Sequence, residues 1–217
     1  MLRPGAGLPE AFGPALQYLV TDKLDPERRA IAARVEAVRA DTAALPDSFL
    51  FEEAPSPFGF VRLVMAAPSR HPGPLSAQWV AHTASVAPRW GMALHLLAAA
   101  SGARTILELG SCAGISGGYL ASAPACRQLF TIEGSPGLAR LAEANLRRIA
   151  DHCAVIAALF DDGLDRVLPR LPEGLDLALP QGPGGVRPVS HREPRRSPGC
   201  RPPSRGHVSG HVGPRSR

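Results

Sequence analysis

Two regimes of apolar and polar positions follow one another along this chain. From Thr105 onward, short apolar runs alternate with segments of helical period. The runs Thr105–Leu109, Leu129–Glu133, Ala154–Leu159 and Leu175–Leu179 read as buried strands. Between them, helices are predicted over about Ser116–Ala123, Pro136–Ala150 and Gly163–Leu168. In the second of these, Leu138, Leu141, Ala142, Asn145, Leu146 and Ile149 recur at the spacing of one helical face. Strands that alternate with helices predict a parallel sheet joined by right-handed crossovers.

Upstream the pattern is helical and broken by proline. Residues 1–14 are rich in Gly and Pro and are expected to fray. Asp25-Pro26 places an N-cap before a proline at the first helical position. Ile31, Val35, Val38 and Leu45 then form one stripe, with Thr42 as its polar member and Arg and Glu on the other face, so one amphipathic helix is predicted to about Leu45. Beyond it, Pro55, Pro57, Pro68, Pro72 and Pro74 break the chain and leave room for one short extended piece, Phe60 to Met65. Helices are expected again over Ser76–Ser85 and Trp90–Ala100, where Trp79 and Trp90 sit in apolar patterns and read as packing residues. The chain divides into a helical lid or homodimer surface (1–100), an α/β part (101–179) and a tail (180–217).

Composition sharpens this division. A length of 217 residues is that of one domain, and 45% apolar content can supply its core. No apolar run reaches the roughly eighteen residues of a membrane span, and Arg3 is followed by no secretory apolar stretch, so a cytoplasmic protein is expected. Cys112, Cys126, Cys153 and Cys200 show no metal-ligand spacing and read as reduced thiols. The net charge of +5 is unevenly spread: residues 180–217 hold eight arginines and one acid, leaving the rest slightly acidic and without a nucleic-acid footprint. The tail contains no Leu, Ile, Met or Phe. It is expected to be disordered, either as the product of a shifted reading frame or as a basic segment through which alone nucleic acid would be bound.

The chemistry-bearing stretch is Thr105-Ile-Leu-Glu-Leu-Gly-Ser-Cys-Ala-Gly-Ile-Ser116. Strand, glycine turn and helix in that order set backbone N–H groups against a nucleotide-like ligand. Gly110 lets the chain leave the strand without a side chain under the ligand, and Gly114 lets the helix begin close to it. An ordinary strand-to-helix turn would use the same residues. Glu133 ends the second strand about twenty residues on, where a nucleotide fold needs a carboxylate for the ribose hydroxyls; a solvated strand-end acid is the alternative. Cys112 stands where a dinucleotide turn would carry its middle glycine, which argues against a nicotinamide dehydrogenase.

Glu-Leu-Gly-x-x-x-Gly-x-Ser resembles the first motif of class I S-adenosylmethionine-dependent methyltransferases, and Ser116 makes it most similar to the small O-methyltransferases related to catechol O-methyltransferase. The resemblance runs from Pro88-Arg-Trp-Gly91 to about Leu179. It implies an α/β, Rossmann-like, doubly wound sheet, here incomplete with strands one to four only. It also implies S-adenosyl-L-methionine as cofactor and a small-molecule acceptor, methylated on oxygen. The cofactor-binding residues it implies are Glu108, Gly110, Ser111, Gly114, Ser116, Glu133 and Asp161. Ser116 would hold the amino-acid end, or else cap its helix. Glu108 would face the methionine ammonium, or else bond local backbone. Asp161 would lie beside adenine, although the usual residue aligns near Leu159; Asp162 is placed to cap the short helix. The catechol-type branch binds a divalent cation with an Asp after strand four; Pro180-Gln-Gly-Pro-Gly-Gly185 offers none, so no metal is expected. His71, His82, His95 and His152 have no partner motif and read as surface or core residues. A non-catalytic remnant of the same fold with a basic tail is the alternative function.

Overall fold

The computed structural model describes residues 8–46, 76–171 and 174–180. The extended piece at Phe60–Met65, His71, Cys200 and the tail beyond Pro180 lie outside the described residues. In chain order the elements are α1 (Leu8–Thr21), α2 (Pro26–Ala43), a short α3 (Ala77–Trp79) that continues as a π-turn (Val80–Ala84), and α4 (Pro88–Ser101). Then come β1 (Thr105–Leu109), α5 (Ile115–Ala121), β2 (Gln128–Glu133), α6 (Pro136–Arg147), β3 (Cys153–Ala157), α7 (Phe160–Val167) with a 3₁₀ turn (Leu168–Arg170), and β4 (Leu177–Pro180).

All described strand pairs are parallel, in the order β3-β2-β1-β4. The described strands form a Rossmann-like parallel α/β sheet, with β2 and β3 on one side of β1 and β4 on the other. Alternate strand residues face opposite layers. Ile106 and Leu129 pack with Leu120 and Leu146 of α5 and α6 on one face, while Leu107, Phe130, Ile132 and Ile156 pack with Val167 of α7 on the other. Both faces are apolar, as two-sided burial of a parallel sheet requires. Arg170 covers the ring of Phe130 at 5.1 Å.

A third apolar cluster joins the N-terminal helices to the outer sides of α5 and α6: Tyr18, Val35, Val38, Val80, Met92, Leu96, Tyr119, Leu138 and Leu141 are buried in it. Expectation and structure differ here. Residues from Leu8 onward are helical rather than frayed. Pro14 removes one helical donor, but Ala11, Ala15 and Tyr18 recur on one face and are buried, and that burial outweighs the missing bond. Arg39 does not lie on a solvent face of α2. It is 3% exposed, with its guanidinium on Glu36 and on the carbonyls of Ala81 and Val86, so a π-turn end that would lack donors is satisfied from the side. Glu36 in turn accepts from the Tyr119 hydroxyl at 2.8 Å. Trp79 packs against this cluster, whereas Trp90 is 59% exposed and is not a packing residue.

Candidate functional site

β1 ends at Leu109, and the chain turns through three residues of positive φ: Gly110 (94°), Cys112 (49°) and Gly114 (77°). Two are glycines, for which this conformation is unstrained. Gly114 serves a second purpose. A side-chain carbon there would stand 3.1 Å from Ala142 Cα, so its bareness lets α6 pack directly on the turn. The Gly110 N–H still bonds Ile132 O at 2.8 Å, and the Gly114 N–H bonds Ser111 O at 2.7 Å, so the turn is closed at both ends.

Glu133 is 3% exposed and holds the turn from the tip of β2, which removes the solvated strand-end alternative. Its Oε2 accepts from Cys112 N at 2.8 Å and its Oε1 from Ser135 N at 2.9 Å. Burial raises its pKa, opposed by these N–H donors and that of Gly134. A carboxylate has about four acceptor positions, so the three backbone donors leave capacity for about one more. Burial, then the Glu133 charge, pushes the Cys112 thiol up to about 12, which makes it a poor nucleophile at neutral pH.

Glu108 lies deeper, fully buried on the face toward α5. Thr131, its register partner on β2, donates to Oε2 at 2.7 Å, and Ser116 bonds the same carboxyl. Its contacts include side chains on neighbouring elements. Desolvation raises its pKa to about 7 against those two bonds, and the Glu133 charge adds to the rise. Ser116 does not cap its helix: the N-cap is Gly114, with no side-chain cap bond, and Ser116 points into the sheet layer at Glu108.

Ser111 carries the clearest signal. Its hydroxyl oxygen is buried and, among the described residues, has no hydrogen-bond partner. An unsatisfied buried hydroxyl costs about 1–3 kcal/mol, a cost that a ligand with a matching polar atom removes. The structure therefore brings Glu108, Gly110, Ser111, Gly114, Ser116 and Glu133 together at the carboxyl ends of β1 and β2. Asp161 stands apart, exposed in the first turn of α7. That helix begins at Phe160 with Leu159 as N-cap, earlier than Gly163, so Asp162 is inside it and is not its cap. Leu159, at 51% exposure, comes within van der Waals reach of the position next to Glu133: a side-chain carbon on Gly134 would lie 3.5 Å from its Cδ2.

Three residues of the site's support have no role assigned from sequence: Thr131, Thr42 and Asn145. The signal is present in each case, a polar side chain on an otherwise apolar strand or stripe. His95 is buried, with Nδ1 3.2 Å from Tyr119 O and its pKa lowered by desolvation, and His152 Nε2 lies 3.1 Å from Ala121 O. Both are structural partners of backbone carbonyls. Among the described residues no group of three His, Cys, Asp or Glu could hold a metal ion, and no helix is long and apolar enough to cross a membrane.

No protein-family model matches the chain, and no curated protein does. Solved structures do. One is the O-methyltransferase TomG from Streptomyces achromogenes, involved in tomaymycin synthesis and in complex with SAM, at 31% identity over 46% of this chain and 46% of that one (TM-score 0.40). The O-methyltransferase from Bacillus cereus in complex with SAH matches at 27% identity over 71% of this chain and 63% of that one (TM-score 0.44). SAH-bound methyltransferase PaMTH1 from Podospora anserina matches at 18% identity over 74% and 61% (TM-score 0.41). The chain spans between 46% and 63% of the length of these proteins. These three solved structures are methyltransferases that hold SAM or SAH.

Proposed function

We propose that this chain binds S-adenosyl-L-methionine at the β1–α5 turn and belongs to an O-methyltransferase acting on a small-molecule hydroxyl. The observation that carries the reading is the pairing of an orphaned, buried Ser111 hydroxyl with a buried Glu133 carboxylate whose oxygens keep acceptor capacity beyond their backbone donors. Those groups fit a nucleoside with a vicinal diol and a polar amino-acid end. Glu133 would accept from the ribose hydroxyls, a charge-assisted pair of contacts. The turn from Gly110 to Gly114 and the hydroxyl of Ser111 would meet the amino-acid portion. Glu108 and Ser116, which bond each other, would set the floor beneath it. Leu159 borders the site beyond Gly134, where an apolar ring face could rest, and Asp161 follows it by two positions.

When bound, the cofactor supplies an electrophilic methyl group on a sulfonium centre. The chain's own contribution is positioning and exclusion of water, since the described site residues are neutral or acidic. The preference for oxygen and for a small acceptor rests on the Gly-x-Ser form of the motif. Titration calorimetry of the full chain with S-adenosylhomocysteine and, separately, with NAD tests the reading. Tighter binding of the former supports it, and tighter binding of NAD overturns it. Transfer of labelled methyl from the cofactor to a panel of small phenols and hydroxy acids then separates an enzyme from a chain that only binds.

A further inference from the structure

The cofactor turn is held from behind by a buried polar relay that begins on α2. The Thr42 hydroxyl donates to Val38 O at 2.9 Å, one turn back on its own helix. Its oxygen then accepts from Asn145 Nδ2 at 3.0 Å, and the same Nδ2 donates to Ala113 O at 2.9 Å. The directions are fixed by chemistry. A backbone carbonyl can only accept, so the Thr42 hydrogen is spent on Val38 and both Asn145 contacts must be donations, which sets the amide's orientation. All three members are enclosed: Thr42, Asn145 and Ala113 are 1%, 5% and 0% exposed. Ala142, three residues before Asn145 on the same face of α6, is the residue packed on Gly114. Positions 113 and 114, which close the turn, are therefore gripped by one helix face through one hydrogen bond and one close contact.

We infer that Asn145, oriented by Thr42, is a positioning residue for the cofactor turn. Through it α2 is part of the site's support, and not simply a cover over the core. Without the amide, the Ala113 carbonyl is buried with no donor, and the peptide between Ala113 and Gly114 is held only through its N–H bond to Ser111 O. Ser111, Cys112 and Gly114 would move with it. The contribution to ligand affinity rests on the proposed cofactor reading, whereas the contribution to turn geometry does not.

The test uses the full chain and two measurements. Hydrogen exchange reads the Gly114 amide, bonded to Ser111 O within the turn, and the Cys112 amide, bonded to Glu133, against the β1 and β2 amides as an internal reference. Calorimetry reads affinity for S-adenosylhomocysteine. Asn145→Ala is expected to speed turn exchange about tenfold relative to the strands and to weaken binding about tenfold. Thr42→Val keeps volume and fold but removes the acceptor that orients the amide, and should give the same pattern at a few-fold. Tyr119→Phe is the control: it deletes a comparable bond to α2, through Glu36, that does not reach the turn. It should lower the melting temperature without selectively loosening the turn. Turn exchange unchanged in both relay variants overturns the inference, as does an equal turn effect in Tyr119→Phe, which would reduce it to general stability. A wild-type chain that does not bind S-adenosylhomocysteine overturns the cofactor reading, while the exchange data still decide the positioning role.

Discussion

At the scale of single residues, Glu108 and Glu133 are two buried acids with different partners. Glu133, at the tip of β2, has both oxygens on backbone donors. Glu133→Ala is expected to weaken S-adenosylhomocysteine binding by tenfold to a hundredfold, the equivalent of roughly 1.5–3 kcal/mol for charge-assisted bonds, as calorimetry would read. Glu108 is sealed, and its folded pKa of about 7 lies above the ordinary 4.5. Between those values the folded chain holds a proton that the unfolded chain has released. Its contribution to stability is therefore full below about pH 4.5 and is lost as pH rises toward 7, by about 3 kcal/mol at most. Burial also raises the pKa of Glu133, with the same sign. Glu108→Gln, which can still accept from Thr131, should flatten this part of the profile in denaturant titrations between pH 4.5 and 7.5. A variant with the wild-type slope would show that the slope arises elsewhere.

At the scale of elements, close approach decides which substitutions are tolerated. A side-chain carbon at Gly91 on α4 would lie 2.4 Å from the Tyr119 ring, which is rigid and anchored through its hydroxyl to Glu36. One at Gly118 on α5 would lie 2.6 Å from Ile149 Cδ1, the free end of a flexible chain. Gly91→Ala is thus expected to cost about 1–3 kcal/mol as overpacking and Gly118→Ala much less, a ranking that thermal melts of the two variants would check. The same elements show what a sequence can say. The four strands and α6 are legible because each strand is a short, largely apolar run and α6 repeats its apolar face. The turn is legible because Gly110, Gly114 and Glu133 have few substitutes at a strand exit. The N-terminal layer is less so. Nothing in Leu8–Thr21 outweighs the Gly and Pro around it until α4 is there to cover Ala11, Ala15 and Tyr18. Arg39 reads as a surface residue because its partners, the carbonyls of Ala81 and Val86, are more than forty positions away. The start of α7 is hidden because its N-cap is Leu159, which makes no side-chain cap.

At the scale of the whole molecule, the sheet is unevenly supported. β1 and β2 each pair on both sides, whereas among the described residues β3 and β4 each have one partner. Asp176 compensates at the entry to β4, its Oδ2 accepting from Arg104 N at 2.9 Å and Thr105 N at 2.8 Å. Amide exchange should accordingly be slowest in β1 and β2 and faster in β4. Asp176→Ala, which removes two acceptor contacts, should speed β4 further and leave β2 unchanged. Uniform protection across the four strands would contradict this ordering. The relay from α2 to the turn has a consequence in time. Thr42 and Asn145 are 103 residues apart. At the pace of protein synthesis, about 5–20 residues per second, α2 leaves the ribosome roughly 5–20 seconds before its hydrogen-bond partner is made. For that interval Val35 and Val38 have no finished core to enter, and the nascent chain presents their apolar stripe to whatever chaperone stands at the exit. The β1–α5 turn, complete in sequence by Gly114, must wait for a residue made later before the Ala113 carbonyl is bound.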